Sequence, residues 1–369
     1  MVRKRREPNN NDKGIDLRGK QPVSLKELAL HLGLSPTSLS LVLNNAPAAQ
    51  AIPQETKERI FAAAREFGYR PNYLARSLRA QRSFTIGVLV PELSDGYSAM
   101  VLSGIEDQLL RSGFLYLVIS HRHDLSVLDK YRSLLFERCV EGIIAVDTPC
   151  DEWSSLPVVA VSGHSKAEGV TNVVVDHGKA ATLALEYLRG LGHRRIAFIK
   201  GQVFSSDTEV RWNAIRRAAA RLNLPVNPKL VAQMEGNSPS PEIGYVAAQK
   251  LLETNEPFTA LFAFNDVSAI GAIRALHEAG LNVPADVSVV GFDDVYSAAF
   301  HNPGLTTVRQ PLKEMGRIAS NTLLQRIANG PKAAFDKSVM VEPELIVRES
   351  TGRAQNVTLT TRRRVIQAG

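Results

Sequence analysis

Long hydrophobic runs are missing from this chain of 369 residues. No apolar stretch approaches the roughly 20 residues that a membrane-spanning helix needs, which excludes a helical membrane protein. The N-terminus is basic but has no apolar segment behind it, so a secretory signal is not expected and the reading is cytoplasmic. Cysteine is nearly absent: Cys139 and Cys150 are the only two, which makes neither a disulfide framework nor a metal cluster. Catalytic signatures are lacking too. No G-x-G-x-x-G follows a strand, and neither G-x-S-x-G nor H-E-x-x-H occurs. Gly14, Gly19 and Lys20 begin a phosphate-binding loop pattern, but Gln21 stands where Ser or Thr is required and no strand precedes it. His121 and His123 have no further ligands at metal spacing and read as a loop. These absences argue against an enzyme and leave no cofactor or metal to expect.

What is present is an ordinary globular composition, 44% hydrophobic and 22% charged, in a chain long enough for two or three domains. The charge is uneven. Residues 1–80 hold 14 Lys and Arg against 7 Asp and Glu, a net +7, while the remainder holds 30 of each sign. A basic end on a neutral body suits a polyanionic partner for that end.

Residues 1–21 are polar and aperiodic and read as a disordered basic arm. Order is expected from Ser24. "SLKE" is a capping box, Leu25, Leu28, Ala29 and Leu32 form one apolar stripe, and Gly33 ends the helix. Ser35 and Pro36 start a second helix almost at once, with Leu39, Val42 and Leu43 on its inner face. A third helix from Pro53 carries Ile60, Ala63, Ala64 and Phe67 inward. Two short helices joined so tightly make a helix-turn-helix. The outward face of the second, with Ser35, Pro36, Thr37, Ser40, Leu41 and Asn44, is small, acid-free and polar at its start. Such a face fits the major groove of double-stranded DNA. Beyond Pro71 a short segment sets Leu74 and Leu78 among Arg76, Arg79 and Arg82. A helix of about eight residues is marginal alone, and a leucine among arginines has the composition of a minor-groove wedge.

From Thr85 short β-rich runs alternate with helices, at 85–90, 115–120, 142–146, 158–162, 172–176, 195–200, 260–264 and 287–293. That alternation means doubly wound parallel sheets, and the length calls for two lobes. Ligands in this architecture bind beyond the carboxyl ends of the strands. Those ends carry Glu92, Ser94, Asp95, Tyr97, His121, His123, Asp176, Asn265, Asp266, Asp293 and Asp294. Acids, amides and aromatics suit a polyhydroxylated or nucleoside-like ligand. Asp176 and Asn265 fit helix capping as well as ligand contact, whereas Asp293 sits at a strand end with no obvious cap to make.

The segments "SLKELALHLGLSPTSLSLVLNN", "IPQETKERIFAAAREFGYRPN" and "LARSLR" resemble the DNA-binding headpiece and hinge of the LacI/GalR family of bacterial transcription regulators. "GLGHRRIAFI", "FNDVSAIGAIRALHEAGLNVPADVSVVGFDD" and "LTTVRQPLKEMG" extend the resemblance over nearly the whole body. It implies a small all-α helix-turn-helix headpiece plus an α/β, two-lobed, periplasmic-binding-protein-like effector domain of doubly wound parallel sheets. It also implies a homodimeric regulator, more often a repressor, of operator DNA, controlled by a small sugar-like effector. Arg76, Leu78 and Arg79 would join the second helix on DNA. Arg211 and Asp293 match the family's effector-holding Arg and Asp, and Tyr97, Phe262, Asn265 and Asp266 match other cleft positions. The implied domains are a headpiece at 22–70, a hinge at 71–83, an effector domain at 84–350 and a disordered basic tail at 351–369. Within the effector domain, 84–176 and 306–338 would form one lobe, and 177–305 with the final strand the other. The sequence departs from the family at Ser162-Gly163, where many members carry Asp-Arg, and at Pro36, which replaces a residue that often hydroxyl-bonds a base.

Overall fold

The computed structural model describes residues 23–44, 46–70, 77, 81–94, 96–150, 156–164, 167–330 and 334–355. The expected arm at 1–21, Asp95, the hinge residues Arg76, Leu78 and Arg79, and the tail from 356 lie outside them. The chain divides into two units, residues 1–82 and 83–369.

The first unit is helical. Helix α1 (Leu25–Leu32) opens on a complete capping box, in which Ser24 Oγ accepts from the Glu27 amide and Glu27 Oε2 accepts from the Ser24 amide. Each bond satisfies an amide that the helix itself leaves unpaired. Gly33 takes the left-handed conformation, φ 66°, that ends α1 without a Cβ penalty. Helix α2 (Pro36–Leu43) follows with Ser35 as its cap, accepting from the Ser38 amide at 3.0 Å. A 3-10 turn (Pro47–Ala51) leads into α3 (Gln54–Glu66). Leu28, Leu39, Val42, Ile60 and Ala63 are buried together, with Leu25, Leu32, Leu43, Ala64 and Phe67 packed around them. The apolar stripes read from the sequence are the faces that meet.

The second unit has two parallel-sheet lobes. The first sheet orders its strands β11-β5-β4-β3-β1-β2, with β1 (Thr85–Val90), β2 (Leu115–Ser120), β3 (Gly142–Val146), β4 (Val158–Val161), β5 (Val170–Val175) and β11 (Ser338–Val341). The second orders β12-β10-β9-β8-β6-β7, with β6 (Ile196–Lys200), β7 (Val231–Gln233), β8 (Ala260–Phe262), β9 (Ser288–Asp293), β10 (Thr306–Arg309) and β12 (Glu344–Ile346). Among these pairs β10 with β12 alone is antiparallel. Helices α4 (Gly96–Arg111), α5 (Leu125–Glu137) and α11 (Leu312–Asn329) serve the first lobe. Helices α6 (His177–Gly190), α7 (Ser206–Arg221), α8 (Glu242–Glu253), α9 (Asp266–Glu278) and α10 (Tyr296–Phe300) serve the second. The central strands are buried along their length, as helices on both faces require.

The chain passes between the lobes after β5, after β10 and after β11. Strand β10 pairs with β9 from Thr306 to Arg309, so residues 306–309 belong to the second lobe and not, as expected, to the first. The first lobe resumes at α11, which packs along α4. At that seam Gly104 faces Lys313 and Gly316 faces Val101, and a Cβ on either glycine would overlap the opposing backbone carbonyl. Residues 351–355 also depart from expectation. They are held against the second lobe, with His193 Nε2 donating to Gly352 O at 3.0 Å and the Ala354 amide donating to Leu191 O at 2.9 Å.

Candidate functional site

On α2, Pro36 and Thr37 are exposed, and Ser35 is exposed while it caps the helix. Ser40 is half-buried, and Asn44 folds back so that its Nδ2 donates to Ser40 O at 2.7 Å and to Ser40 Oγ at 3.3 Å. Leu41 departs from the fully outward position expected of it. It is half-buried, packed against the headpiece core, and the Ala46 amide donates to its carbonyl at 2.9 Å.

The cleft of the second unit lies at the carboxyl ends of both sheets. Glu92, Tyr97, His123 and Asp147 line it from the first lobe. Asp207, Arg211, Phe264, Asn265 and Asp293 line it from the second. Thus Tyr97, Arg211, Asn265 and Asp293 come together as expected. Phe262 does not join them: it is buried inside β8 at 1% exposure, and Phe264, past the strand end, takes the cleft position instead. Asp266 is fully buried and bonded within the second lobe. One oxygen accepts from the Val295 amide at 2.9 Å and the other from Thr307 Oγ1 at 2.5 Å, so it ties α9 to β10. Asp176 and Asn265 both cap helices, α6 and α9 respectively, and Asn265 faces the cleft as well.

Arg211 is the fixed centre. Its Nη2 donates to Asp207 Oδ2 at 2.8 Å and its Nη1 to Phe264 O at 2.5 Å. The guanidinium lies 3.8 Å from the Phe292 ring centre and 4.3 Å from that of Phe264, so it is held between two rings. Its Nε has no hydrogen-bond partner among the described residues. Burial would raise the Asp207 carboxyl, but His177, His164 and Arg211 hold it well below the usual range, so it is ionised. Asp293 is held at φ 108°, an uncommon conformation for a residue with a side chain. It accepts from Gln310 Nε2 at 2.7 Å, and burial pushes its carboxyl well up against the opposing pull of Arg211.

The two lobes meet at the start of α7. Ser205 and Ser206 donate to Asp147 at 3.2 Å, and His164 Nε2 lies 2.6 Å from Asp207 Oδ1. Tyr97 Oη donates to Ser162 Oγ at 2.8 Å, and the His123 ring packs 4.0 Å from Phe204. Burial, with Asp207 nearby, raises Asp147 to about 7. His121 is a buried loop residue on Thr148 Oγ1, lowered to about 4 by burial. Asp147 follows β3 directly, so the strand-end rule that picked out Asp293 also points to it. His164, His177 and Asp207 are far apart in the chain and carry no local signal.

Two family models match. Residues 24–72 match bacterial regulatory proteins of the lacI family, and residues 185–351 match a periplasmic binding protein-like domain. The HTH-type transcriptional repressor PurR of Haemophilus influenzae is 31% identical over 341 residues, covering 89% of this chain and 98% of that protein. PurR of Yersinia pestis is 30% identical over 337 residues, with 89% and 96% covered. Among solved structures, the lac repressor dimer bound to operator and the anti-inducer ONPF superposes with a TM-score of 0.77 at 25% identity, covering 90% of this chain and all of that one. The CelR–cellobiose complex gives 0.67 at 25% identity, with 89% and 99% covered.

Proposed function

The chain belongs to the LacI family of bacterial regulatory proteins, and from that premise we propose how its parts divide the work of an effector-controlled repressor. It is a sequence-specific DNA-binding transcription regulator and not an enzyme; double-stranded operator DNA, a small-molecule effector and a second copy of itself are its partners. No helix among the described residues is long and apolar enough to cross a membrane. As a bacterial regulator of operator DNA it acts in the cytoplasm.

The reading face is α2. Thr37 offers a methyl and a hydroxyl to base edges, Leu41 its exposed apolar part, and Ser35, Pro36, Ser40 and Asn44 complete the surface. Arg76 and Arg79 reach phosphates, and Leu78 enters the minor groove. The effector is held by Tyr97, Arg211, Asn265 and Asp293, with Asp147 and Phe264 beside them. The observation that carries this is the buried guanidinium of Arg211, clamped between two rings with an Nε that has no partner among the described residues, at the meeting of both lobes. A donor so placed, ringed by carboxyls and an amide, suits a sugar or a similar polyhydroxylated metabolite. The family's solved complexes include one with cellobiose. Effector and operator are coupled by linkage, so an effector that changes operator affinity by some factor has its own affinity changed by the same factor when operator is bound.

The test is selection of an operator from random DNA, then a thermal-shift screen of sugars and related metabolites. A ligand that raises the melting temperature must change operator affinity in the wild type and fail to do so in Arg211→Ala. A stabilising ligand with no effect on operator affinity would sink the assignment.

A further inference from the structure

We propose that a divalent transition-metal ion binds beside the cleft, on His164, His177 and the cleft-lining Asp207, and that this ion bridges the two lobes. His164 stands beyond the end of β4 in the first lobe. His177 opens α6 and Asp207 lies in the first turn of α7, both in the second lobe. One donor atom from each of the three lies within 4.8 Å of the others. Both imidazoles address one carboxylate oxygen: His164 Nε2 is 2.6 Å and His177 Nε2 3.3 Å from Asp207 Oδ1.

Two imidazole nitrogens and one carboxylate oxygen form a donor set that first-row metals such as zinc take, with a position left open. The other carboxylate oxygen, Oδ2, is fixed by Arg211 at 2.8 Å, so Asp207 is oriented from behind while Oδ1 faces the histidines. An outer partner of that kind is usual at metal sites. His177 Nδ1 has no partner among the described residues, so it is free to carry the ring proton when Nε2 turns its lone pair to a metal. The side chains of His177 and Asp207 are 5% and 6% exposed, that of His164 19%, which makes His164 the entry side.

Without metal, the three ligands remain a hydrogen-bonded contact between the lobes. The proposal concerns the effector cleft but does not depend on the effector assignment, because metal binding is measured with neither sugar nor DNA present.

The experiment uses the full-length, untagged protein and zinc alone. Isothermal titration should give one Zn²⁺ per protomer, with a rise in melting temperature. Cobalt(II) in place of zinc should show the visible d–d absorption of a low-coordinate nitrogen and oxygen site. His164→Ala, on the rim, should weaken zinc at least tenfold, and His177→Gln should do the same. His277→Ala, on the exposed face of α9 away from the cleft, should leave it unchanged. The proposal is overturned if the wild type binds no zinc, if both His164→Ala and His177→Gln bind it as the wild type does, or if His277→Ala alone abolishes binding.

Discussion

Asp293 is a carboxyl built to be completed by something else. It is buried, its backbone is held at φ 108°, and one amide donor from Gln310 is what the protein itself supplies. Asp293→Asn should weaken effector binding at least tenfold, since it replaces a carboxyl oxygen that can accept from a ligand hydroxyl with an amide N–H that cannot, and a buried hydrogen-bonding group left unpaired costs about 1–3 kcal/mol. Calorimetry with the identified effector checks it, and unchanged affinity would remove Asp293 from the site. Asp147 makes a different prediction. Its carboxyl goes from an ordinary 3.8 to about 7 when buried beneath Ser205 and Ser206. A raised carboxyl favours the folded, closed state when protonated, so that contribution is full below 3.8 and is lost as pH rises through about 7. The melting temperature of Asp147→Asn minus that of the wild type should therefore grow between about pH 5 and about pH 8. A difference constant over that range would contradict it. Asp293 was visible in the sequence because it ends a strand. Phe262 was misplaced because β8 stops at Phe262, which leaves Phe264 beyond the strand as the residue that reaches the cleft. Asp207 and its histidines could not be seen, because 43 and 30 positions separate Asp207 from His164 and His177 and the fold alone brings them together.

Elements were more legible than contacts. The capping box at Ser24, the Ser35–Pro36 start of α2 and the glycine stops are local chemistry, and they appear where local chemistry puts them. Ser35→Ala should cost about 0.5–2 kcal/mol through the lost cap, seen as a lower headpiece unfolding temperature by calorimetry. The short strands β7, β10, β11 and β12 escaped the pattern reading, since runs of three or four residues are too short to show a period. The α4–α11 seam gives a paired prediction. Alanine at Gly104 gains about 1 kcal/mol of helix propensity, but its Cβ meets the Lys313 carbonyl, a backbone atom that cannot swing away. Overpacking of that kind costs about 1–3 kcal/mol or more, so Gly104→Ala should lower the melting temperature. Gly190, in α6 with open space around it, should do the reverse when changed to Ala. Equal shifts from both would mean that the seam is looser than described.

At the scale of the molecule, the net +7 of residues 1–80 sits on a body with none. Operator binding should weaken steeply with salt, because each phosphate neutralised releases counterions. Removing residues 1–21 should flatten that slope and leave the preferred sequence unchanged, since backbone contacts carry no base information. A changed consensus after selection from random DNA would overturn this. The three passages between lobes have a consequence for the order in which the protein can be made. The headpiece core is complete once Tyr69 has been added. The first lobe, begun at Thr85, waits for Met315, Ala319 and Leu323 of α11 and for the edge strand Ser338–Val341. The second waits for Thr306–Arg309 and Glu344–Ile346. At the roughly 5–20 residues per second of synthesis, a growing chain carries two unfinished sheets for tens of seconds, and both close within its last stretch. Ribosomes stalled near residue 305 should thus display a protease-resistant headpiece followed by more than two hundred digestible residues. The DNA-reading part of this repressor is born long before the part that governs it.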